Sequence, residues 1–195
     1  MNETRLHSSL RTVCKDLSDS RAAYALVGGL AVSARTEPRF TKDVDLAVAV
    51  ASDREAEALV GFLRSRQYRI QALVEHETAA RLATVRLIPP TEPFPSVDLL
   101  FASSGIEAEI VAAAEPLNVI EGLVVPVATV GHLIATKVLS RDDAQRPQDR
   151  VDLIALLHEA GEADLRVARE ALRTMDARGF SRGKDLLTEL ESMLQ

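Results

Sequence analysis

Tryptophan is absent from the 195-residue chain, aromatic residues make up only 4% of it, and cysteine occurs once, at Cys14. With so few rings, a core has to be assembled from Leu, Val, Ile and Ala, within a hydrophobic fraction of 47%; at this length, a substantial core can be buried. A single cysteine excludes an internal disulfide and fits a reducing, cytoplasmic location. Cys14 lies beside an apolar helical face and reads as packing. No apolar run approaches the roughly 20 residues of a membrane-spanning helix, so no membrane partner is expected. The opening "MNETRLHSSLRTV" has no basic start followed by an apolar run, and a signal peptide is not expected. Histidines are scattered, and "HETAA" at His76 begins like H-E-x-x-H without its second histidine, so neither a zinc site nor a zinc protease is indicated. No G-x-x-x-x-G-K-[ST] occurs, which excludes a P-loop. The net charge of −6 argues against attraction of nucleic acid to the whole surface and leaves room for a local basic patch.

What is present alternates between strand-like and helix-like patterns. Leu6, Leu10, Val13 and Leu17 mark one face of a helix over residues 3–18. "AAYALVGG" reads as a buried strand stopped by Gly28 and Gly29, followed by a short helix over "LAVSAR". "DVDLAVAV" is the next strand. Ser52 and Glu55 form a capping box ahead of the helix "AEALVGFLRSR". "YRIQALVE" and "ARLATVRLI" are two strands, "IPPTEPFP" a proline-rich break, and "SVDLLFA" another strand. "GIEAEIVAAAE" is helical and "LNVIEGLVVPV" a short hairpin or extended pair. From Thr129 the pattern is helical to the end, broken near "DDAQRPQD", "AGEAD" and "RGFSRG". No internal repeat or low-complexity tract interrupts this order. The expected architecture is a mixed α/β (α+β) region over residues 1–128 and a C-terminal helical region over residues 129–195 that completes the active-site cleft.

"FTKDVDLAVAV", residues 40–50, places two aspartates at the mouth of an apolar strand. With a side-chain period of two, Thr41, Asp43 and Asp45 point the same way. Like charges this close repel, and burying them is costly without compensation. Oxygen ligands favour Mg²⁺ or Mn²⁺ as the compensating ion. Alone, D-x-D also describes two surface aspartates at a solvated strand end. Asp98, the lone charge in "PSVDLLFA", enters another apolar strand. Asp43, Asp45 and Asp98 could converge on metal ions, as in-line phosphoryl or nucleotidyl transfer requires. Gly28 and Gly29, between a strand and a short helix, would let backbone N–H groups approach a phosphate; an ordinary tight turn is the other use of such a pair.

"LVGGLAVSARTEPRFTKDVDLAV" resembles the opening motif of the polymerase-β-type nucleotidyltransferase superfamily. More narrowly, it is similar to the AbiEii group of nucleotidyltransferase toxins, whose version is Gly-Gly, a small helix, then Arg-x-Thr-x-Asp-x-Asp. Those positions are Gly28, Gly29, Arg39, Thr41, Asp43 and Asp45, and Asp98 stands where the superfamily tends to carry a third carboxylate. The resemblance implies a polymerase-β-type fold with a mixed sheet.

The helical region carries a second pattern. Val130, Leu133, Ile134 and Val138 form one face, Lys137 lies on it and Arg141 one turn beyond. Lys137 could snorkel to the edge of that face, or reach a nucleotide phosphate across the cleft. Asp149 and Asp152 open the next helix, where Asp152 could partner Lys137 or Arg141, and Asp149 fits the first helical turn. "ATKVLSRDDAQRPQDRVDL" is similar to the AbiEii pattern of a lysine-bearing helix, a basic turn and Asp-x-x-Asp, which implies active-site roles for Lys137 and Asp152. The likeness covers most of residues 24–158; the last 37 residues carry no transferable motif and read as structural helices.

Arg35, Arg39, Lys42, Lys137, Arg141, Arg146 and Arg150 could make a positive rim around this site, suited to an NTP and one end of an RNA. By resemblance, the activity is metal-dependent transfer of a nucleotide from an NTP to the 3′ acceptor end of tRNA, blocking translation, with Gly28, Gly29, Arg39, Thr41, Lys137 and Arg141 binding the nucleotide. The resemblance also implies a cognate antitoxin that phosphorylates Thr41, bringing about −1.5 to −2 charges beside the carboxylates. Two alternatives stay open: a transferase for a small hydroxylated acceptor or a protein, and an inactive domain that only binds a partner.

Overall fold

The computed structural model describes residues 5–76, 81–90 and 95–194. Helix α1 (Arg5–Asp19) precedes strand β1 (Ala23–Val27), helix α2 (Gly28–Arg35), strand β2 (Val44–Ala49) and helix α3 (Asp53–Ser65). Strands β3 (Arg69–His76), β4 (Arg81–Ile88) and β5 (Val97–Leu100) follow, then helix α4 (Glu107–Ala113) and the pair β6 (Glu115–Ile120) and β7 (Leu123–Val127). Helices α5 (Val130–Ser140), α6 (Pro147–Glu159), α7 (Glu162–Ala177) and α8 (Leu186–Met193) close the chain. One mixed, seven-stranded sheet runs in the order β3-β4-β5-β2-β1-β7-β6. β2 is therefore central, antiparallel to β1 and parallel to β5.

The aliphatic composition becomes the core as expected. Leu10, Val13 and Leu17 of α1, Leu46 and Val48 of β2, and Leu99 of β5 are fully buried. Alternation along β2 puts Val44, Leu46 and Val48 on one face and Asp45 and Ala47 on the other, where both line a cleft. Helix α5 is buried almost all round, because α6, α7 and α2 pack against it.

Several boundaries differ from the sequence reading, each for a local reason. Helix α2 begins at Gly28, so both glycines form its first turn instead of stopping the strand ahead of it. β2 begins at Val44, leaving Thr41 and Asp43 on an unpaired approach. The capping box is not made: Ser52 gives no side-chain cap, and the Glu55 carboxylate accepts from the Ala51 N–H, one residue ahead of the N-cap, at 2.8 Å. Glu115 leaves the α4 helix and opens β6, whose turn to β7 passes through Gly122 at φ 72°. Ala80, the residues after His76 in "HETAA", and 91–94 of the proline-rich break lie outside the described residues.

Candidate active site

Strand register assembles the floor of the cleft. β1 pairs Val27 with Asp45, so the chain leaves β1 through Gly28 beside that carboxylate. β5 sets Asp98 opposite Asp45, and β4 sets Arg86 opposite Asp98. Directly paired residues share a face, so the three side chains form a row across adjacent strands. Gly28 has φ 63°, and a Cβ there would lie 1.9 Å from Asp45 Oδ2. A Cβ on Gly29 would lie 2.7 Å from Thr41 Oγ1 and 2.8 Å from Arg39 Nη2. The two glycines thus admit three side chains of the Arg-x-Thr-x-Asp-x-Asp segment to one small space.

Asp43 is held by Ser96, whose hydroxyl donates to Oδ1 at 2.6 Å. Burial, then the negative charges of Asp98 and Asp43, lift the Asp45 carboxyl to about 6, with Lys137 and Arg86 partly opposing. Asp98 does not present open oxygens: both are taken by Arg86, from Nε at 2.7 Å and from Nη2 at 2.6 Å. The expected three-carboxylate set of Asp43, Asp45 and Asp98 thus has its third member engaged by Arg86 in this structure. Among the described residues, no group of three or more His, Cys, Asp or Glu side chains is arranged to hold a metal ion. Asp98 acts on Asp45 through its charge, and the open donors are Asp43 and Asp45. Crowded carboxylate oxygens whose repulsion raises Asp45 are nonetheless the donor chemistry that a hard divalent cation satisfies.

Helices α5 and α6 supply another wall. Lys137 Nζ, buried, lies 2.6 Å from Asp149 Oδ1 and 2.8 Å from Asp152 Oδ2. Asp152 also accepts from Arg39 Nη2 at 2.6 Å and from Gln148 at 3.0 Å. Burial pushes the Asp152 carboxyl up, but the bonds from Arg39, Lys137 and Gln148 outweigh it and hold the group below the usual carboxylate range. Two cations and two carboxylates therefore form a knot joining the approach to β2 with the helical segment. Gly28, Gly29, Arg39, Thr41, Asp43, Asp45, Lys137 and Asp149 all line one cleft of about 470 Å³.

The expected basic rim is only partly assembled. Arg141 forks onto Asp143 at 2.8 and 2.7 Å and does not line the cleft. Arg35 ties α2 to the sheet through the carbonyls of Ala128 and Val127 and the carboxylate of Glu115. Lys42 and Arg150 are exposed and lie outside the cleft lining. Arg146 does line it, and so does Arg182, which the sequence reading missed. Arg182 sits at φ 55° in the loop between α7 and α8, and donates to the Ser103 carbonyl at 3.1 Å. Burial lowers its pKa, and the neighbouring Arg146 lowers it further. Ser103, Ser104 and Glu107 complete this end of the cleft; Glu107 Oε1 accepts from both serine N–H groups at 2.8 and 2.7 Å. The glycines of "RGFSRG" were the available signal, since they mark a turn that could carry a side chain inward.

Residues 12–193 match the family described as nucleotidyl transferase AbiEii toxin, type IV TA system. The chain belongs to this family. As an AbiEii protein, it is a nucleotidyltransferase. An antigenic nucleotidyltransferase-like protein from Paracoccidioides brasiliensis superposes with a TM-score of 0.54 at 20% identity, covering 94% of this chain and 91% of that one. The antibiotic-resistance enzyme ANT(2″)-Ia, solved with adenylyl-2″-tobramycin, gives a TM-score of 0.57 at 17% identity over 86% of this chain and 96% of that one. The lincosamide antibiotic adenylyltransferase LnuA, with lincomycin bound, gives 0.53 at 14% identity over 82% and 100%. These likenesses establish the nucleotidyltransferase fold for the AbiEii chain. A sequence search of curated proteins returned no match. Among the described residues, no helix is long and apolar enough to cross a membrane.

Proposed function

We propose that this AbiEii protein transfers a nucleotide from an NTP to the 3′ end of an RNA, with tRNA as the acceptor, and so blocks translation. The observation that carries the reading is Asp45 packed against Gly28, in one cleft with Asp43, Gly29, Lys137 and Arg39. Asp43 and Asp45 would hold Mg²⁺ or Mn²⁺, which when bound neutralises charge on the triphosphate. Lys137 and Arg39 would take up phosphate charge, with Arg146 and Arg182 on the same cleft wall. The ribose 3′-oxygen attacks the α-phosphorus, the bond from that phosphorus to the bridging β-phosphate oxygen breaks, and pyrophosphate leaves. A carboxylate orients the hydroxyl and receives its proton.

A small hydroxylated acceptor is the second reading, because ANT(2″)-Ia was solved with an adenylylated tobramycin and LnuA with lincomycin. The cleft lining carries four cations, Arg39, Lys137, Arg146 and Arg182, against four carboxylates, Asp43, Asp45, Glu107 and Asp149, so its charge does not decide between the two acceptors. Incubation with Mg²⁺, each labelled NTP and total RNA, beside a panel of aminoglycosides and lincosamides, separates the two. Label should enter RNA of tRNA size and fall at least about 100-fold in Asp43→Ala, the scale of losing a group that stabilises the transition state. Undiminished transfer by Asp43→Ala would defeat the reading, as would label found only on the small acceptors.

Thr41 lines the same cleft, and its phosphorylation by a cognate antitoxin would set a dianion beside Asp43 and Asp45, expelling nucleotide and metal. Mass spectrometry of the chain co-expressed with the neighbouring gene product should show a single added phosphate at Thr41; an unmodified Thr41 under conditions of full neutralisation counts against it.

A further inference from the structure

Between α2 and β2 the burial alternates as in an extended segment: Arg39, Thr41 and Asp43 are half-buried, while Phe40 and Lys42 are exposed. Successive side chains of extended backbone point opposite ways. The odd-numbered trio lines the cleft, and Phe40 and Lys42 project from the other side of the same segment. Phe40 is 82% exposed, the most of any large hydrophobic among the described residues. In a chain this poor in aromatics, the other described phenylalanines are placed differently: Phe101 and Phe180 are buried in the core and Phe62 packs against it.

The backbone under that ring is anchored. Arg39 Nη1 donates to the Phe40 carbonyl at 2.9 Å, and the Arg39 N–H donates to the Ser33 hydroxyl at 3.3 Å. The same Arg39 is fixed to Asp152. An uncovered ring on a pinned backbone, with a lysine two residues on and the cleft directly behind, has the make-up of a platform for single-stranded nucleic acid.

We propose that Phe40 and Lys42 form an outer subsite for the acceptor RNA. The Phe40 ring stacks on a nucleobase of the strand leading to the reactive 3′ end, and the Lys42 ammonium pairs with an adjoining phosphate. The base of the NTP is not the occupant, because the donor lies in the cleft and these two side chains face away from it. The proposal rests on the RNA reading above and names how the acceptor is held.

The chain has no tryptophan, so Phe40→Trp introduces a single reporter at the proposed contact. Titration with a short single-stranded RNA should quench its fluorescence, and titration with NTP and Mg²⁺ should not. In transfer assays, Phe40→Ala should raise KM for RNA by about 10-fold, the scale of one lost base stack, with KM for NTP and the melting temperature unchanged. Phe40→Trp and Phe40→Tyr should keep wild-type KM, whereas Phe40→Leu should behave like Phe40→Ala. Lys42→Gln should lower the slope of log affinity against log salt by about 0.7. The proposal is overturned if RNA leaves the fluorescence unchanged, if NTP alone quenches it, if only a protein partner quenches it, or if Phe40→Leu matches Phe40→Trp. A wild-type chain that labels no RNA removes the RNA reading itself, whereas normal RNA labelling with an unchanged KM in Phe40→Ala removes only the outer subsite.

Discussion

Asp45 is a carboxylate working against its own fold. Burial and the charges of Asp98 and Asp43 lift it to about 6 from an ordinary value near 3.8, so the folded chain binds its proton more tightly than the unfolded chain does. Stability is therefore lost as pH rises from about 4 to 6 and stays lower above that. Asp45→Asn removes the ionisation and should abolish transfer while raising the melting temperature at pH 7 to 8. Two pKa units correspond to about 3 kcal/mol; water in the cleft screens part of this, so a gain of about 1–2 kcal/mol, a few degrees, is expected. The gain should shrink to a small remainder by pH 4, just above the carboxyl's ordinary value. Thermal unfolding of both proteins from pH 4 to 8 checks this, and a variant no more stable than wild type at pH 8 contradicts it. Asp43, Asp45 and Gly28 were legible because their setting is local: a D-x-D at a strand mouth and a Gly-Gly at a strand end. Arg141 was misplaced because Asp143, two residues on, captures its guanidinium, a short-range fork that helical periodicity does not register.

Helix α2 earns its position from what its first residue lacks. At Gly28 a side chain would need both a left-handed backbone and the space occupied by Asp45. Gly28→Ala should lower stability by about 1–3 kcal/mol, the scale of a strained backbone position, and displace the carboxylate enough to remove transfer. Gly61, inside α3 with nothing within 4 Å of a notional Cβ, is the control: alanine there should be neutral or stabilising by up to about 1 kcal/mol. Comparable losses from both substitutions in urea unfolding and transfer assays would show that the Gly28 contact has no special role. Elements with strong periodicity, such as α1 and β2, were readable to within a residue or two. Ends set by tertiary contacts were not: Glu115 joins β6 because β7 offers it a partner at Val127, which the helix-like run before it does not reveal.

Across the whole molecule, segments far apart in sequence meet at the cleft. The loop after α7 is fastened to the α4 region by Phe180, whose ring leaves no room for a Cβ on Gly105. Arg178 adds a 2.6 Å contact to Glu109, and Lys184 reaches the Leu139 carbonyl at 3.1 Å. That fastening delivers Arg182, and it explains why the final 37 residues looked merely structural: their contribution exists only once the chain has folded back. The sheet, the central carboxylates and the lysine-bearing helix followed from alternation and spacing, whereas the second arginine of the wall depended on packing between segments about 80 residues apart.

The knot of Lys137, Arg39, Asp149 and Asp152 has one more consequence. An incoming triphosphate does not meet a bare ammonium waiting in water. On the proposed function it would meet a cation already gripped by two aspartates, and would gain that cation in competition with them. Loading is thus a replacement reaction inside the protein, and the tightness of the resting grip sets how much of the phosphate's attraction is left to be felt as affinity.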